Sequence, residues 1–548
     1  MRLLNDIALG LVVILSFANT ITNSVVQVSG ATAFDVKTFG AKGDGKTLDT
    51  FAINKTIEAA AAAGGGTVYF PAGDYLSTSI RLKSNIALYL DQGATIIAAE
   101  TNATAKYDPP EPNQWDSYQD FGHSHWHNSL IWGENLENVS ITGPGRIWGR
   151  GLVRLGSQSR TAEQNAALAN LPGESRAGPF GFPSKRDAVE TGWGNKAIAL
   201  KLSRNVIIRD ITIFHGGHFA ILATGVDNLT IDNVKIDTNR DGIDVDACKN
   251  VRISNTMVNS PLDDAICPKS SYALGYARAT ENLTITNCQV SGYVEGTLLD
   301  GTFKREPQRA SGDFSSPMGR IKLGTESNGG FKNIAISNCV FDYSRGIALE
   351  SVDGALLEDV TITNITMREI TNAPIFMRLG FRGRGPKETT TVGALRRVLI
   401  SNIVVYNAGG AMSSIIAGIP GHPIEDVTLS NIRIYSLGGG TTAQAAREIP
   451  EKEDAYPEPT MFGDTPSYGF FIRHVKGLRV DRVSLSYQKD DLRPAFVLND
   501  VTDADFSRLK VPNANSSAFA LKTVQGFSLH DSYPLPDKRI ESVSVEKF

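Results

Sequence analysis

Along most of the chain, aliphatic and polar positions alternate in a short recurring phrase that frequently opens or closes on Asn. It reads Asn138-Val-Ser-Ile-Thr142, Asn205-Val-Ile-Ile-Arg-Asp210, Asn228-Leu-Thr-Ile-Asp-Asn233 and Asn250-Val-Arg-Ile-Ser-Asn255. It continues through Asn282 to Asn287, Asn333 to Asn338, Asp359 to Asn364, Arg397 to Asn402, Asp426 to Asn431 and Gly477 to Asp481. Period-two alternation predicts strands, each too short to bury its apolar face alone. The intervals start at 22 residues, and the longest leave room for a skipped rung or a long loop. Stacked coils solve the burial problem: inward aliphatics form a continuous core, and corner Asn residues satisfy backbone groups. The expectation is an all-β chain, a single right-handed parallel β-helix. A leucine-rich repeat would need its Leu-x-x-Leu-x-Leu signature, and a propeller would need larger, more even blades.

The ends break the pattern. Residues 46–62 carry Ile53, Ile57, Ala60 and Ala61 at helical spacing, ended by Gly64-Gly-Gly66, which predicts a helix capping the open apolar end of the solenoid. Beyond about Gln488 the phrase weakens, so residues 489–548 are expected to hold the last rung or two and an irregular tail, after a β-helix domain spanning 31–488. Residues 1–30 have one early cation and a short apolar run from Ile7 to Phe17, the pattern of a secretory signal peptide. The run is shorter than the roughly 20 apolar residues of a membrane span. A secreted protein is expected, with an uncleaved N-terminal anchor as the alternative. Segments 105–128, 150–195, 300–318, 380–392 and 438–468 are polar, Gly/Pro-rich or aromatic insertions of the kind that wall a binding groove.

Charge adds little. A formal net charge of −4 gives no basic footprint for nucleic acid and leaves room for an acidic substrate held by a few local cations. The four cysteines, Cys248, Cys267, Cys288 and Cys339, are too few for a disulfide scaffold and match no zinc spacing, so buried thiols are expected.

Two consecutive segments, Ile236 to Cys248 and Val258 to Ser270, look like successive turns of the repeat. Shifting one by a period of 22 places Asp241 on Asp263, and neighbouring rungs lie about 4.8 Å apart. Asp241, Asp263 and Asp264 would then form one acidic cluster. Alone, an Asp-Asp pair at a corner reads as an Asx-type turn; in register with Asp241 it reads as paired carboxyls for acid and base work. Asp244 and Asp246 alternate along the same strand and suit supporting roles. His123, His125 and His127 alternate, which would suit zinc, but they lie in an aromatic stretch, Trp115 to Trp132, better suited to stacking on sugars. No metal and no cofactor are expected.

At this point the chain resembles the polygalacturonase family of pectin-degrading glycoside hydrolases, family 28. The resemblance rests on Phe34-Asp-Val-Lys-Thr-Phe-Gly-Ala-Lys-Gly-Asp-Gly45, Gly65-Gly-Thr-Val-Tyr-Phe-Pro-Ala-Gly73, Asn239-Arg-Asp241, Asp263-Asp264 and Gly324-Thr-Glu-Ser-Asn-Gly-Gly330, and covers roughly residues 34 to 435. It implies an inverting hydrolase without cofactor acting on galacturonan or rhamnogalacturonan, with Asp263 as general acid and Asp241 with Asp264 positioning water. A monomer is expected, with no nucleic-acid partner.

Two positions depart from the family pattern. Its Gly-His-Gly reads Pro317-Met-Gly319 here, and its Arg-Ile-Lys reads Ala348-Leu-Glu350. The cations that hold a galacturonate carboxylate are thereby absent. Aligning Arg320 to Thr325 with Gly346 to Ser351 puts Lys322 beside Ala348, where it could restore the charge. In the same frame Lys269 matches Glu350 several rungs earlier, too far for an ion pair, so Lys269, Arg320 and Glu350 would contact different sugars along one groove or remain solvated. The basic loop from Arg378 to Arg384 is either a solvated turn or a rim contact for an acidic sugar. Competing functions are β-elimination on the same fold, which needs Ca²⁺ and a cationic base, and a non-catalytic glycan-binding β-helix.

Overall fold

The computed structural model describes residues 33–119, 123–153, 192–306, 317–512 and 517–548. The expected signal peptide, most of the 150–195 insertion and part of 300–318 lie outside the described residues. No described helix is long and apolar enough to cross a membrane.

Ala33–Phe548 forms the expected right-handed parallel β-helix. One coil shows how the phrase folds. Phe219–Thr224 is followed by Asp227–Asp232 and Lys235–Asp237, and each of these three strands pairs in parallel with its counterpart in the next coil, Asp241–Asp246, Lys249–Ser254 and Met257–Asn259. From Leu356 onward the second and third strands merge into single 15-residue strands such as Leu356–Ile370 and Ala394–Ala408. The inward residues of every rung stack into one continuous core, as in Val206, Leu229, Val251, Leu283, Ile334, Val360 and Val398.

The corner Asn residues do more than serve the backbone. Asn138, Asn205, Asn228, Asn250, Asn282 and Asn333 all have φ between 53° and 57°, the left-handed region that a short amide side chain tolerates. Each donates its side-chain amide to the Asn of the rung before, from Asn138 on Asn85 at 2.9 Å to Asn333 on Asn282 at 2.8 Å. A second ladder runs through Asn364, Asn402 and Asn431.

The capping helix is Thr50–Ala62, with Ala52, Ile53, Thr56, Ile57 and Ala60 buried against the first coil. At its start Asp49 accepts hydrogen bonds from the amides of Lys42 and Gly43. At the other end the structure differs from the expected irregular tail. Phe496–Ser507 and Phe519–His530 continue the parallel ladder, and Lys538–Lys547 pairs antiparallel with the last of them. The phrase is faint there because aromatics replace aliphatics: Phe470, Phe496 and Phe519 stack with ring centroids 5.7 and 5.0 Å apart.

The three strands of a coil differ in burial, and this locates the site. Lys249–Ser254 alternates as predicted, whereas Phe219–Thr224, Asp241–Asp246, Ile347–Ser351 and Ile375–Leu379 are buried on both faces. Insertions cover their outer side. Trp126 donates to the Thr224 hydroxyl at 3.1 Å and His123 packs on Phe219, while Arg378 and Arg473 bind carbonyls of residues 449–452.

The ladder predicts a measurable cost. Asn228→Ala loses two side-chain hydrogen bonds and strains a left-handed corner, so it should destabilise by about 1–3 kcal/mol. Asn228→Gly keeps the corner relaxed and should lose less. Thermal midpoints at one fixed scan rate compare the two; equal losses would mean that the backbone conformation contributes nothing.

Candidate functional site

The acidic cluster forms, with a different register from the one expected. Ile243 pairs with Ile266, a shift of 23, so Asp241 lies across from Asp264 rather than Asp263. The extra residue reflects the corner ahead of the strand, where the Gly242 amide donates to the Asp264 carbonyl at 3.0 Å. A Cβ at Gly242 would sit 2.4 Å from both the Ala265 carbonyl and Val258, so this rung closes on the next without room for a side chain. One oxygen from each of Asp241, Asp263 and Asp264 lies within 4.8 Å of the others.

The three carboxyls have different surroundings. Asp264 is fully buried and clamped: the Arg320 Nε donates to it at 2.7 Å and the Lys322 ammonium pairs with its other oxygen. Burial alone would raise its pKa, and the charges of Lys322 and Arg320 outweigh that and hold it well below the carboxylate range. Asp241 is pushed the other way, well above that range, by burial and by the neighbouring Asp244 and Asp263. Asp263 is the most exposed of the three. It makes the Asx-type contact, accepting from the Asp264 amide at 3.1 Å, and also pairs with Arg240 at 2.7 Å.

Around this cluster lies a buried shell of alternating charge. Lys269 reaches Asp244 and Glu326, each at 3.5 Å, and His123 Nδ1 meets Glu326 at 2.9 Å. Burial pushes Asp244 up to about 7 against the pull of Lys269 and His123. Arg320 also grips Glu458, which holds Arg345 at 2.7 Å. Glu458 comes from the 438–468 insertion, so that loop is tied to the cluster through one arginine.

The residues expected to bind substrate are placed as follows. Lys322 does pair with Ala348 in register, but its buried ammonium is committed to Asp264 and does not face a groove. Arg320 is likewise committed to Asp264 and Glu458. Glu350 accepts from the Thr325 hydroxyl at 3.1 Å and lies 3.9 Å from Arg320, and burial pushes it up to about 7. Lys269 belongs to the Asp244 and Glu326 pairs. Arg378 is no rim contact: it is buried, donates to the carbonyls of Gly418, Glu451 and Lys452, and lies over Phe462. Met318, at the family's histidine position, is buried. The three alternating histidines diverge, His123 to Glu326, His125 to Asp116 and His127 to Glu134, with His127 also stacked on Trp132 at 3.9 Å.

Several neighbours of the cluster escaped the sequence reading. Arg240 was in plain view inside Asn239-Arg-Asp241. His218 sits one rung below Arg240, as the pairing of Phe219 with Asp241 shows, and subtracting a period would have found it. The four cysteines are buried and free, as expected. Glu458 carries no sequence signal, because an insertion delivers it.

The parallel β-helix thus gathers carboxyls and cations under loop insertions on one face. Residues 33–260 match the family model described as rhamnogalacturonase A/epimerase, pectate lyase-like; Asp241 lies inside the match and Asp263 just beyond it. The chain is 24% identical over 443 residues to a "Probable polygalacturonase" of Vitis vinifera, covering 75% of each chain. It is 24% identical over 396 residues to an exo-poly-alpha-D-galacturonosidase of Dickeya chrysanthemi, covering 66% of this chain and 59% of the relative. The solved family 28 exopolygalacturonase of Yersinia enterocolitica shares the fold with a TM-score of 0.59 at 17% identity, over 89% of this chain and 79% of that one. The chain is thus polygalacturonase-like.

The clamp on Asp264 has a testable signature. Lys322→Met leaves a buried carboxylate with one cation fewer and should cost about 3–5 kcal/mol at neutral pH. The native pKa of Asp264 is depressed, so the pair stabilises above the unfolded value of about 4 and its contribution fades as the pH falls further. The deficit of the variant should therefore narrow below about pH 4 in denaturant titrations; a deficit independent of pH would mean lost packing instead.

Proposed function

We propose that this chain is a glycoside hydrolase that cleaves pectic polysaccharide by acid and base catalysis at Asp241, Asp263 and Asp264. The observation that carries this reading is the convergence of three carboxyls with opposed environments, in a chain similar to polygalacturonases along most of its length. Hydrolysis needs a carboxyl that donates a proton to the leaving oxygen and a carboxylate that activates water. Asp264, held ionised by Arg320 and Lys322, supplies the fixed negative charge. The proton that burial and repulsion keep on Asp241 passes through Asp263, the most exposed, to the leaving oxygen, and Asp241 is thereby left ionised. Asp241 and Asp264 position the attacking water, and the ionised Asp241 takes its proton.

The reaction inverts the anomeric centre. The carboxyl oxygens lie closer together than the spacing of about 6.5–9.5 Å usual for an inverting pair. A retaining mechanism, however, needs an ionised and unencumbered nucleophile, and neither Asp264, gripped through both oxygens, nor the proton-holding Asp241 offers one. Secretion follows from the N-terminal pattern and is tested by the mature N-terminus recovered from the culture medium.

Substrate preference follows from where the cations are spent. On the rungs after the cluster Ala348 and Glu350 replace the family's cations, Arg320 and Lys322 are held by Asp264, Arg345 by Glu458 and Arg382 by Asp353. A galacturonate placed there would meet Glu350, and like charge disfavours it. Rhamnogalacturonan should therefore be cleaved faster than polygalacturonan in side-by-side reducing-end assays, and Glu350→Lys should narrow the gap. Preference for polygalacturonan by the wild type would overturn the assignment.

Asp263→Asn should lower turnover by roughly 10²–10⁴-fold with the fold unchanged by circular dichroism. Proton NMR of the first products should show the inverted anomer. Activity within a fewfold of wild type would remove Asp263 from the acid role, a retained anomer would mean a covalent intermediate, and an unsaturated product would move the protein to the lyases.

A further inference from the structure

Beside the carboxyl cluster lies a second group of ligating side chains that hydrolysis does not use. One nitrogen of His123, one of His218 and one oxygen of Asp241 lie within 4.8 Å of one another, and all three residues are at most 4% exposed. The same side chains carry buried atoms without a hydrogen-bond partner among the described residues: His123 Nε2, His218 Nδ1 and Asp241 Oδ1. Buried polar atoms are rarely left unpaired, and three on side chains gathered this closely call for something between them.

The chemistry of the donors narrows what that is. His123 Nδ1 faces the Glu326 carboxylate at 2.9 Å, and a carboxylate accepts only, so the ring proton of the neutral imidazole belongs on Nδ1 and Nε2 presents a lone pair. A carboxylate behind the outer nitrogen of an imidazole is the usual support of a metal-binding histidine. Asp244 stands nearby, its Oδ2 3.9 Å from His123 Nε2 and 3.5 Å from the Lys269 ammonium, outside the group of two imidazoles and one carboxylate whose ligating atoms gather within 4.8 Å. Imidazole with carboxylate selects borderline divalent transition metals, and zinc is the ordinary case.

We propose that His123, His218 and Asp241 form a binding site for a divalent transition-metal ion such as Zn²⁺, and that its occupancy inhibits the enzyme. The inhibition rests on the hydrolase reading above; the binding does not. Metal bound to an Asp241 oxygen occupies a carboxyl that the reaction uses.

Titration calorimetry of the full chain with zinc chloride, without substrate, tests the site. A one-to-one isotherm complete below about 0.1 mM zinc is expected, weakened at least about tenfold in both His218→Gln and His123→Gln and unchanged in His125→Gln, whose ring binds elsewhere. Cobalt(II) bound to wild type should show visible bands of a nitrogen and oxygen site of low coordination number, a readout that needs no variant to fold. Absence of binding up to 1 mM zinc (about −4 kcal/mol), or equal affinity in His218→Gln, would overturn the site. In turnover assays zinc should inhibit and EDTA should restore the rate; zinc that binds at full activity would remove Asp241 from the ligands. If no pectic substrate is turned over, the calorimetry still decides the metal site, and the failure belongs to the hydrolase reading.

Discussion

Hydrogen bonding between successive coils sets every other distance in this molecule. Each strand lies against its counterpart in the next coil, so a side chain's neighbours are fixed once the register is fixed. Aliphatic stacking inside and the Asn ladders at the corners hold that register from both sides of the backbone. The cluster inherits this precision. Asp241 and Asp264 face each other because Ile243 faces Ile266, and Lys322 stands beside Ala348 because the same stacking continues.

Stacking of this kind brings like residues together, which for carboxyls is costly. The chain offsets the cost by interleaving cations. Arg320 and Lys322 answer Asp264, Arg240 answers Asp263, and Lys269 lies between Asp244 and Glu326. Unequal answers produce unequal acids: Asp264 is held toward its charged form, while Asp241, with burial and two carboxylates around it, is pushed toward its protonated form. Arg320 and Lys322 are consumed in this balance.

The insertions complete the site. They bury the outer face of strands that would otherwise alternate, lower the dielectric around the cluster, and bring in His123 and Glu458. Glu458 joins Arg320 to Arg345, so a surface loop is anchored to a group that touches the central carboxylate.

Much of this was legible in the linear pattern. The alternating phrase and its spacing determined the β-helix, the Asn corners and the capping helix, because each depends on local periodicity and on contacts repeated from coil to coil. The pairing of Lys322 with Ala348 followed from the same spacing. The register at Asp241 did not, since one extra corner residue between Asn259 and Ile266 shifts the period from 22 to 23 without changing the aliphatic pattern. The last rungs after Gln488 were expected, but the final antiparallel strand was not, because the phrase was defined by aliphatics and by parallel repetition. What Lys322, Arg320, Arg378 and Glu350 touch was decided only in three dimensions. Long side chains choose partners across rungs and loops, and the direction in which a buried lysine points depends on which carboxylate lies nearest, a matter on which sequence spacing is silent.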